Sequence, residues 1–162
     1  MPPNINKKNY RLADMSILPD PVVPYPDPDE QAEIIEDCVD MAEFGTVLHI
    51  REWRGHDNVV EQYALMLNVT PVHAAYSRCK KLKGEQANFE QVRRTDTWHS
   101  TVHSHQYFID TDDCEEQVHE ELFGGSREEE SRRVVNGTFK KHYYQMVYDP
   151  FDYLERWEEG KQ

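Results

Sequence analysis

The chain has 162 residues, of which 38% are hydrophobic and 30% are charged, and its formal net charge is −13. This length fits one domain with a buried core, and the sequence has no run of about 18 apolar residues that would predict a membrane span. The negative charge argues against nucleic-acid binding by bulk electrostatics. Because residues 1–10 are polar and lack the apolar segment of a secretory signal, we expect a cytoplasmic protein without a membrane partner.

The charges are unevenly distributed along the sequence. Residues 70–109 contain six cations and three carboxylates, a net charge of +3, whereas residues 110–130 are strongly acidic. This pattern predicts a locally basic surface on an acidic protein. The cysteines Cys38, Cys79 and Cys114 are far apart and form no CxxC pair, so we interpret them as buried or idle thiols rather than as a disulfide framework or zinc ribbon.

The first 28 residues are predicted to form an extended arm. Five prolines between positions 19 and 28 exclude regular helix and favour polyproline-like backbone. The apolar residues between them favour packing along the domain or a partner over a free tail. After Asp29, a candidate N-cap, apolar residues recur at helical spacing until Gly45, which predicts an amphipathic helix over about 29–44.

Strand patterns follow this predicted helix. Residues 46–53 (TVLHIREW) and 59–69 (VVEQYALMLNV) alternate and are joined by RGHDN, which predicts a β-hairpin. Residues 71–84 fit a short helix or a third strand, and we favour the strand. Residues 88–95 and 101–109 predict two further strands on either side of a central DTWHS.

The last third of the chain is predicted to be mainly helical. Residues 110–125 form an acidic connection with a helical turn at 115–122. Ser126 and Glu129 form a capping box, which predicts a helix from Ser126 to about Tyr148. A short last helix follows the break at Pro150.

The order of elements predicts an α+β fold. Its antiparallel sheet has four or five strands and is flanked by an N-terminal helix and two C-terminal helices. Residues 1–28 form the Pro-rich N-terminal arm, and residues 29–162 form a single α+β domain.

Three of the eight histidines fall within seven residues: His99, His103 and His105. If residues 101–109 form a strand, His103 and His105 project from the same face about 6.5–7 Å apart. His99 lies at a turn close to Asp96. These four residues are the candidate catalytic set, although a solvated sheet face would explain the same cluster without any chemistry.

The cluster fits two kinds of chemistry. Paired imidazoles that titrate near neutrality suit acid–base cleavage of a phosphodiester, with Arg93 and Arg94 holding the phosphate. Neutral imidazoles also bind zinc, iron or manganese, and His103 and His105 with Asp110 would form a divalent metal site. The order of these three residues resembles the opening of the cupin pattern, but the glycine before it and the second cupin block are missing.

The middle of the chain resembles the TumE-type toxins of prokaryotic toxin–antitoxin modules. The similarity lies within residues 46–108 and is carried by Leu48–Trp53, Tyr63, Arg94, Asp96, His99, His103 and His105. It implies a compact α+β toxin that acts on RNA or translation and is neutralised by an antitoxin partner. The leading hypothesis is therefore an RNA-directed nuclease, a hydrolase or transferase. The alternatives are a small metal-binding enzyme on the same histidines and a non-enzymatic protein-interaction module.

Overall fold

The computed structural model describes residues 23–55, 57–79 and 89–161. Six strands are followed by two helices in these residues, which confirms the α+β class. The strands are β1 (Glu33–Met41), β2 (Thr46–Arg54), β3 (Val60–Val69), β4 (Glu90–Asp96), β5 (Thr101–Phe108) and β6 (Thr111–Glu121). The helices are α1 (Glu128–Tyr148) and α2 (Phe151–Glu159).

The strands form one antiparallel meander in which each strand pairs with the next. The predicted hairpin is confirmed as β2 and β3, and a bulge interrupts their pairing between Trp53 and Arg54. The two further predicted strands are confirmed as β4 and β5. A single 3₁₀ turn, Trp98–Ser100, joins them and contains His99, the histidine of the DTWHS segment.

Both edge strands correct the sequence analysis. The N-terminal helix predicted over 29–44 is wrong, because Glu33–Met41 pairs with β2 along its whole length. The helical turn predicted at 115–122 is also wrong, because these residues belong mostly to β6. Residues four apart share a face in a helix and in a strand alike, so the spacing of Ile35 and Val39 did not distinguish the two structures.

Two smaller predictions also need correction. Residues 71–79 form turns with one 3₁₀ segment, Tyr76–Arg78, instead of a third strand, and residues 80–84 lie outside the described residues. Pro71 has no backbone N–H that could donate a hydrogen bond to a neighbouring strand. The predicted capping box is wrong because Ser126 lies in a 3₁₀ turn, and the N-cap of α1, Arg127, makes no side-chain capping bond.

The two helices pack on one face of the sheet. Leu48, Leu65 and Leu67 are fully buried there, as are Val135 of α1 and Trp157 of α2. The Tyr63 ring contacts Phe139 of α1, with 5.2 Å between ring centroids, and its hydroxyl donates to Thr138 Oγ1 at 3.0 Å. We call the opposite side of the sheet, away from α1 and α2, the distal face.

The described end of the N-terminal arm packs against the domain. The N–H of Gly124 donates to the carbonyl of Val23 at 2.7 Å, and Pro24 forms a β-bridge with Phe123. Tyr25 is 7% exposed, and its hydroxyl donates to the carbonyl of Glu61. Residues 1–22 lie outside the described residues, so the proposed division at residue 28 stays a prediction.

Candidate functional site

Strand β5 places two of the predicted catalytic histidines on the distal face. The chain alternates sides at each residue, so His103, His105 and Tyr107 project together. The ring centroids of His103 and His105 are 5.0 Å apart, and those of His105 and Tyr107 are 6.3 Å apart. The imidazoles are therefore near neighbours, with their planes at 86° to one another.

Asp96 at the end of β4 is the centre of the cluster. It pairs with His103 in the β4–β5 register, and its Oδ1 lies 3.0 Å from His103 Nε2. The same oxygen accepts the N–H of Trp98 at 3.1 Å, while Oδ2 accepts from Arg94 Nε at 2.8 Å. Asp96 is only 3% exposed, and a carboxylate buried to this extent requires such partners. The three contacts hold it in one orientation.

These contacts also assign the protonation of His103. Nε2 faces a carboxylate that can only accept, so this nitrogen carries a hydrogen. Nδ1 lies 2.9 Å from the hydroxyl of Thr101. In the neutral ring Nδ1 is then the acceptor, and it is the nitrogen whose lone pair is directed away from Asp96.

A carboxylate on β6 completes a group that could hold a metal ion. The ligand atoms of His103, His105 and Glu116 lie within 4.8 Å of one another. Glu116 stands directly opposite His105 in the β5–β6 register. Glu116 was not predicted as a site residue because residues 115–122 were expected to form a helical turn. A β6 strand in register with β5 is the signal that would have indicated it.

Asp110 was predicted to bind a metal ion together with His103 and His105, but its carboxylate makes a different contact. It lies at the turn between β5 and β6, and its Oδ1 accepts the N–H of Lys161 at 3.1 Å. The Asp110 carboxylate also faces Gly160, where an added Cβ would come within 2.6 Å of Oδ2. Asp110 therefore anchors the C-terminal segment, and Glu116 is the carboxylate in the group that could hold a metal ion.

The two consecutive arginines lie on opposite sides of the sheet. Arg94 shares the distal face with Asp96, whereas Arg93 is 6% exposed and sits below the helices. The guanidinium of Arg93 lies 4.2 Å from the centroid of the Tyr153 ring and donates to Gln106 Oε1 at 3.3 Å. Burial lowers the pKa of Arg93. The structure brings only Arg94 to the histidine cluster, so Arg93 is not placed to share a phosphate with it.

His99 lies at the rim of the cluster. It is exposed, and its backbone is in the left-handed region, with φ 60° and ψ 35°. Ser100 follows with φ 57°, so two consecutive non-glycine residues adopt this uncommon conformation. The His99 and His103 ring centroids are 6.5 Å apart.

A cavity of about 350 Å³ opens beside the cluster on the distal face. Its lining residues are Arg94, Asp96, Trp98, His99, His105 and Tyr107. Burial raises the pKa of Tyr107, so this phenol keeps its proton and can donate a hydrogen bond near neutral pH. The cavity therefore combines a guanidinium, imidazoles and aromatic walls.

A second histidine pair, not predicted from sequence, lies under the helices. The ring centroids of His119 on β6 and His142 on α1 are 4.8 Å apart. Ser104 Oγ lies 2.7 Å from His119 Nε2 and 2.6 Å from Thr95 Oγ1. Burial lowers the pKa of His119 and lowers that of His142 to about 4, so both imidazoles are neutral at pH 7. These residues join the two layers of the fold.

Comparisons of the chain with protein-family models, with curated proteins and with solved structures found no match. Among the described residues, neither helix is long and apolar enough to span a membrane. The function must therefore be argued from the site itself.

Proposed function

We propose that the protein is a small metal-dependent hydrolase that binds a divalent transition-metal ion through His103, His105 and Glu116. The observation that carries the proposal is the convergence of two imidazoles and one carboxylate, from two paired strands, within 4.8 Å. Two histidines and a carboxylate form a common ligand set for catalytic zinc, and three protein ligands leave a position for water or substrate.

The surroundings of the three ligands support this proposal. A metal-bound histidine usually donates its other ring N–H to a carboxylate, which fixes the ring and increases its basicity. Asp96 stands in this relation to His103, with Nε2 directed at Oδ1. A metal ion would bind at Nδ1 in place of the Thr101 hydroxyl, which can donate to the carbonyl of Trp98 instead. A bound ion would supply Lewis acidity and acidify water.

Arg94 indicates the charge of the substrate. Its Nε is held by Asp96, and its guanidinium lines the cavity. The remaining N–H groups can bind an anionic oxygen in a fixed geometry, which suits phosphate esters.

Zinc titration by isothermal calorimetry tests the proposal. We expect wild-type protein, purified without a tag, to bind one zinc ion and His105→Ala to bind it at least about tenfold more weakly. His49→Ala is the matched control, because His49 lies on the same face in β2 but bonds Asn68 and is not in the group. Absence of stoichiometric binding, or equal losses in both variants, would refute a metal site here.

The second candidate is the RNA-directed nuclease of a toxin–antitoxin pair, acting without a metal ion. Its specific support is an acid–base arrangement: His103 is oriented by Asp96, and the His105 ring is 5.0 Å away. One imidazole would accept a proton from a ribose hydroxyl while the other donates one to the leaving oxygen. Arg94 would hold the phosphate between them.

The two candidates predict opposite responses to a chelator. The nuclease should arrest growth on expression and cleave RNA in the presence of EDTA, and His105→Gln should relieve both effects. An adjacent gene product would neutralise it. Loss of all cleavage in EDTA, restored by zinc, would instead support the hydrolase.

A further inference from the structure

The solvent-facing side of α1 carries cations and tyrosines on an otherwise acidic protein. Between Ser131 and Tyr148 the helix has four Lys and Arg residues and no carboxylate, although the net charge of the whole chain is −13. At about 3.6 residues per turn, five of its exposed side chains fall within about 100° of the helix circumference and along about 22 Å of its length. We call these residues the α1 stripe: Arg133, Lys140, Lys141, Tyr144 and Tyr148.

The two lysines of the α1 stripe have no ion-pair partner within the helix. Arg133 lies 3.7 Å from the carboxylate of Glu129, one turn earlier, so its charge is partly balanced. The positions three and four residues away from Lys140 and Lys141 hold no acidic residue. Both side chains are exposed. Their charges are therefore available to an external anion.

The two tyrosines of the α1 stripe form an exposed aromatic platform. Tyr144 and Tyr148 are 60% and 66% exposed, and their ring centroids are 5.4 Å apart with the planes inclined by 27°. Tyr143, which is half-buried, contacts the Tyr144 ring edge-on at 6.0 Å. Contact between side chains four residues apart stabilises a helix only slightly, and it leaves most of both rings in water. Exposed aromatic rings beside cations are the means by which proteins bind single strands, since every nucleobase has a face that stacks.

We propose that the α1 stripe binds single-stranded nucleic acid. Bases stack on Tyr144 and Tyr148, and phosphates contact Lys140 and Lys141. Charge complementarity favours a polyanion at this surface, and the aromatic platform favours a single strand over an acidic peptide, which has no bases to stack. The acidic remainder of the protein repels phosphates, so the contact is confined to a short stretch of nucleotides along the helix.

The α1 stripe is separate from the histidine cluster. Helix α1 packs on the face of the sheet opposite to the distal face, where His103 and His105 project. The inference therefore goes beyond the proposed hydrolase and does not depend on a metal ion. Loss of zinc binding would leave it standing, and loss of nucleic-acid binding would leave the metal site standing.

Fluorescence anisotropy with the full chain tests the proposal. The probes are a labelled oligothymidylate and a labelled oligouridylate of about 12 nucleotides, a length within the usual site size of a single-strand binding domain. We expect binding at about 50 mM salt that weakens toward about 200 mM. Tyr144→Ala should bind at least about fivefold more weakly because stacking is lost, whereas Tyr144→Phe should keep the wild-type affinity. A difference between the two probes identifies the preferred sugar.

A pair of charge variants separates a local contact from an effect of net charge. Lys140→Gln should weaken binding and reduce the slope of log affinity against log salt by about 0.7, the contribution of one phosphate contact on a single strand. Arg78→Gln is the matched control, because it removes one exposed charge outside α1, where Arg78 pairs with Glu158. This variant should keep the wild-type affinity and slope.

Several results would overturn the proposal. Absence of binding by wild type, full affinity in Tyr144→Ala, or equal losses in Lys140→Gln and Arg78→Gln would each do so. Competition by polyglutamate as strong as that by unlabelled oligonucleotide would identify an acidic protein as the partner instead. Circular dichroism of each variant checks that these exposed substitutions leave the fold intact.

Discussion

Asp96 illustrates how a single buried residue can serve both stability and chemistry. Its two oxygens accept bonds from His103, Arg94 and the backbone of Trp98 while the side chain is almost fully buried. Such a carboxylate is stabilised only as long as its donors remain, because an unpaired buried charge costs several kcal/mol. The same contacts leave Nδ1 as the acceptor nitrogen of His103, and it faces the Thr101 hydroxyl at 2.9 Å.

We predict that Asp96→Asn weakens zinc binding by about 10- to 100-fold, since loss of a carboxylate behind a metal-bound histidine has this effect. The amide would also direct donors at Arg94 or His103, so the free energy of unfolding should fall by about 2–4 kcal/mol. Calorimetry and urea unfolding measure the two effects. Asp110→Asn is the control for zinc binding and should retain wild-type affinity; an equal loss there would contradict the ligand assignment.

The sequence predicted part of this site. A strand over residues 101–109 was sufficient to place His103 and His105 on one face, and Asp96 was correctly included near them. Strand alternation alone would also have separated Arg93 from Arg94, because neighbours in a strand face opposite ways. Glu116 could not be found without knowing that β6 pairs with β5.

At the scale of elements, the strands that the sequence did not predict are the two edges of the sheet. None of the residues of β6 is buried, and in β1 only Met41 is buried. Edge strands are specified by pairing with one neighbour and tolerate charged residues on both faces. The buried strands β2 and β3 contain β-branched and apolar side chains, which favour a strand over a helix. Their predicted bounds are therefore close to the observed ones.

The contact between the N-terminal arm and the end of β6 depends on a close backbone approach at Gly124. A Cβ at this position would lie 2.3 Å from the carbonyl oxygen of Pro24. We predict that Gly124→Ala displaces the arm and lowers the free energy of unfolding by about 1–3 kcal/mol. Urea unfolding measures the loss, and protease digestion should show cleavage in the arm.

Gly137 in the middle of α1 provides the reverse case. An added Cβ there meets nothing within 4 Å, so Gly137→Ala should raise the free energy of unfolding by about 0.5–1 kcal/mol through its higher helix propensity. The same urea experiment should therefore give opposite signs for the two alanines. Wild-type stability of Gly124→Ala would contradict the effect of the close approach at Gly124, and destabilisation by Gly137→Ala would contradict the open space at Gly137.

At the scale of the whole molecule, the helical layer meets the sheet through a polar pair as well as through the apolar core. His142 is 3% exposed, and its Nδ1 has no hydrogen-bond partner among the described residues. Burial, together with His119, Lys141 and Arg93, lowers the pKa of His142 to about 4 from the usual 6.5. Protonation of this imidazole opposes the docking of α1 on β6.

This arrangement predicts a loss of stability in mild acid. Because the unfolded chain binds the proton more tightly, His142 costs no stability above about pH 6.5, destabilises as the pH falls and levels off below about pH 4. We expect wild type to lose about 2 kcal/mol more than His142→Leu between pH 7.5 and pH 5 in urea unfolding. His99→Asn, a change at an exposed left-handed position, should keep the wild-type dependence. Identical pH profiles for wild type and His142→Leu would contradict this role.

The acidic edges have a consequence for contacts between molecules. Strand β6 has the sequence TDDCEEQVHEE, and β1 carries Glu33, Glu36, Asp37 and Asp40. Two copies that approached edge to edge would bring rows of carboxylates together, so electrostatic repulsion opposes extension of one sheet into the next. Salt at about 0.15 M screens the interaction between charges that are more than roughly 8 Å apart. The carboxylates of two edges in contact would be closer than this, so they would still repel each other. The acidic composition of β1 and β6, which made them difficult to predict as strands, thus also opposes continuous strand pairing between neighbouring molecules.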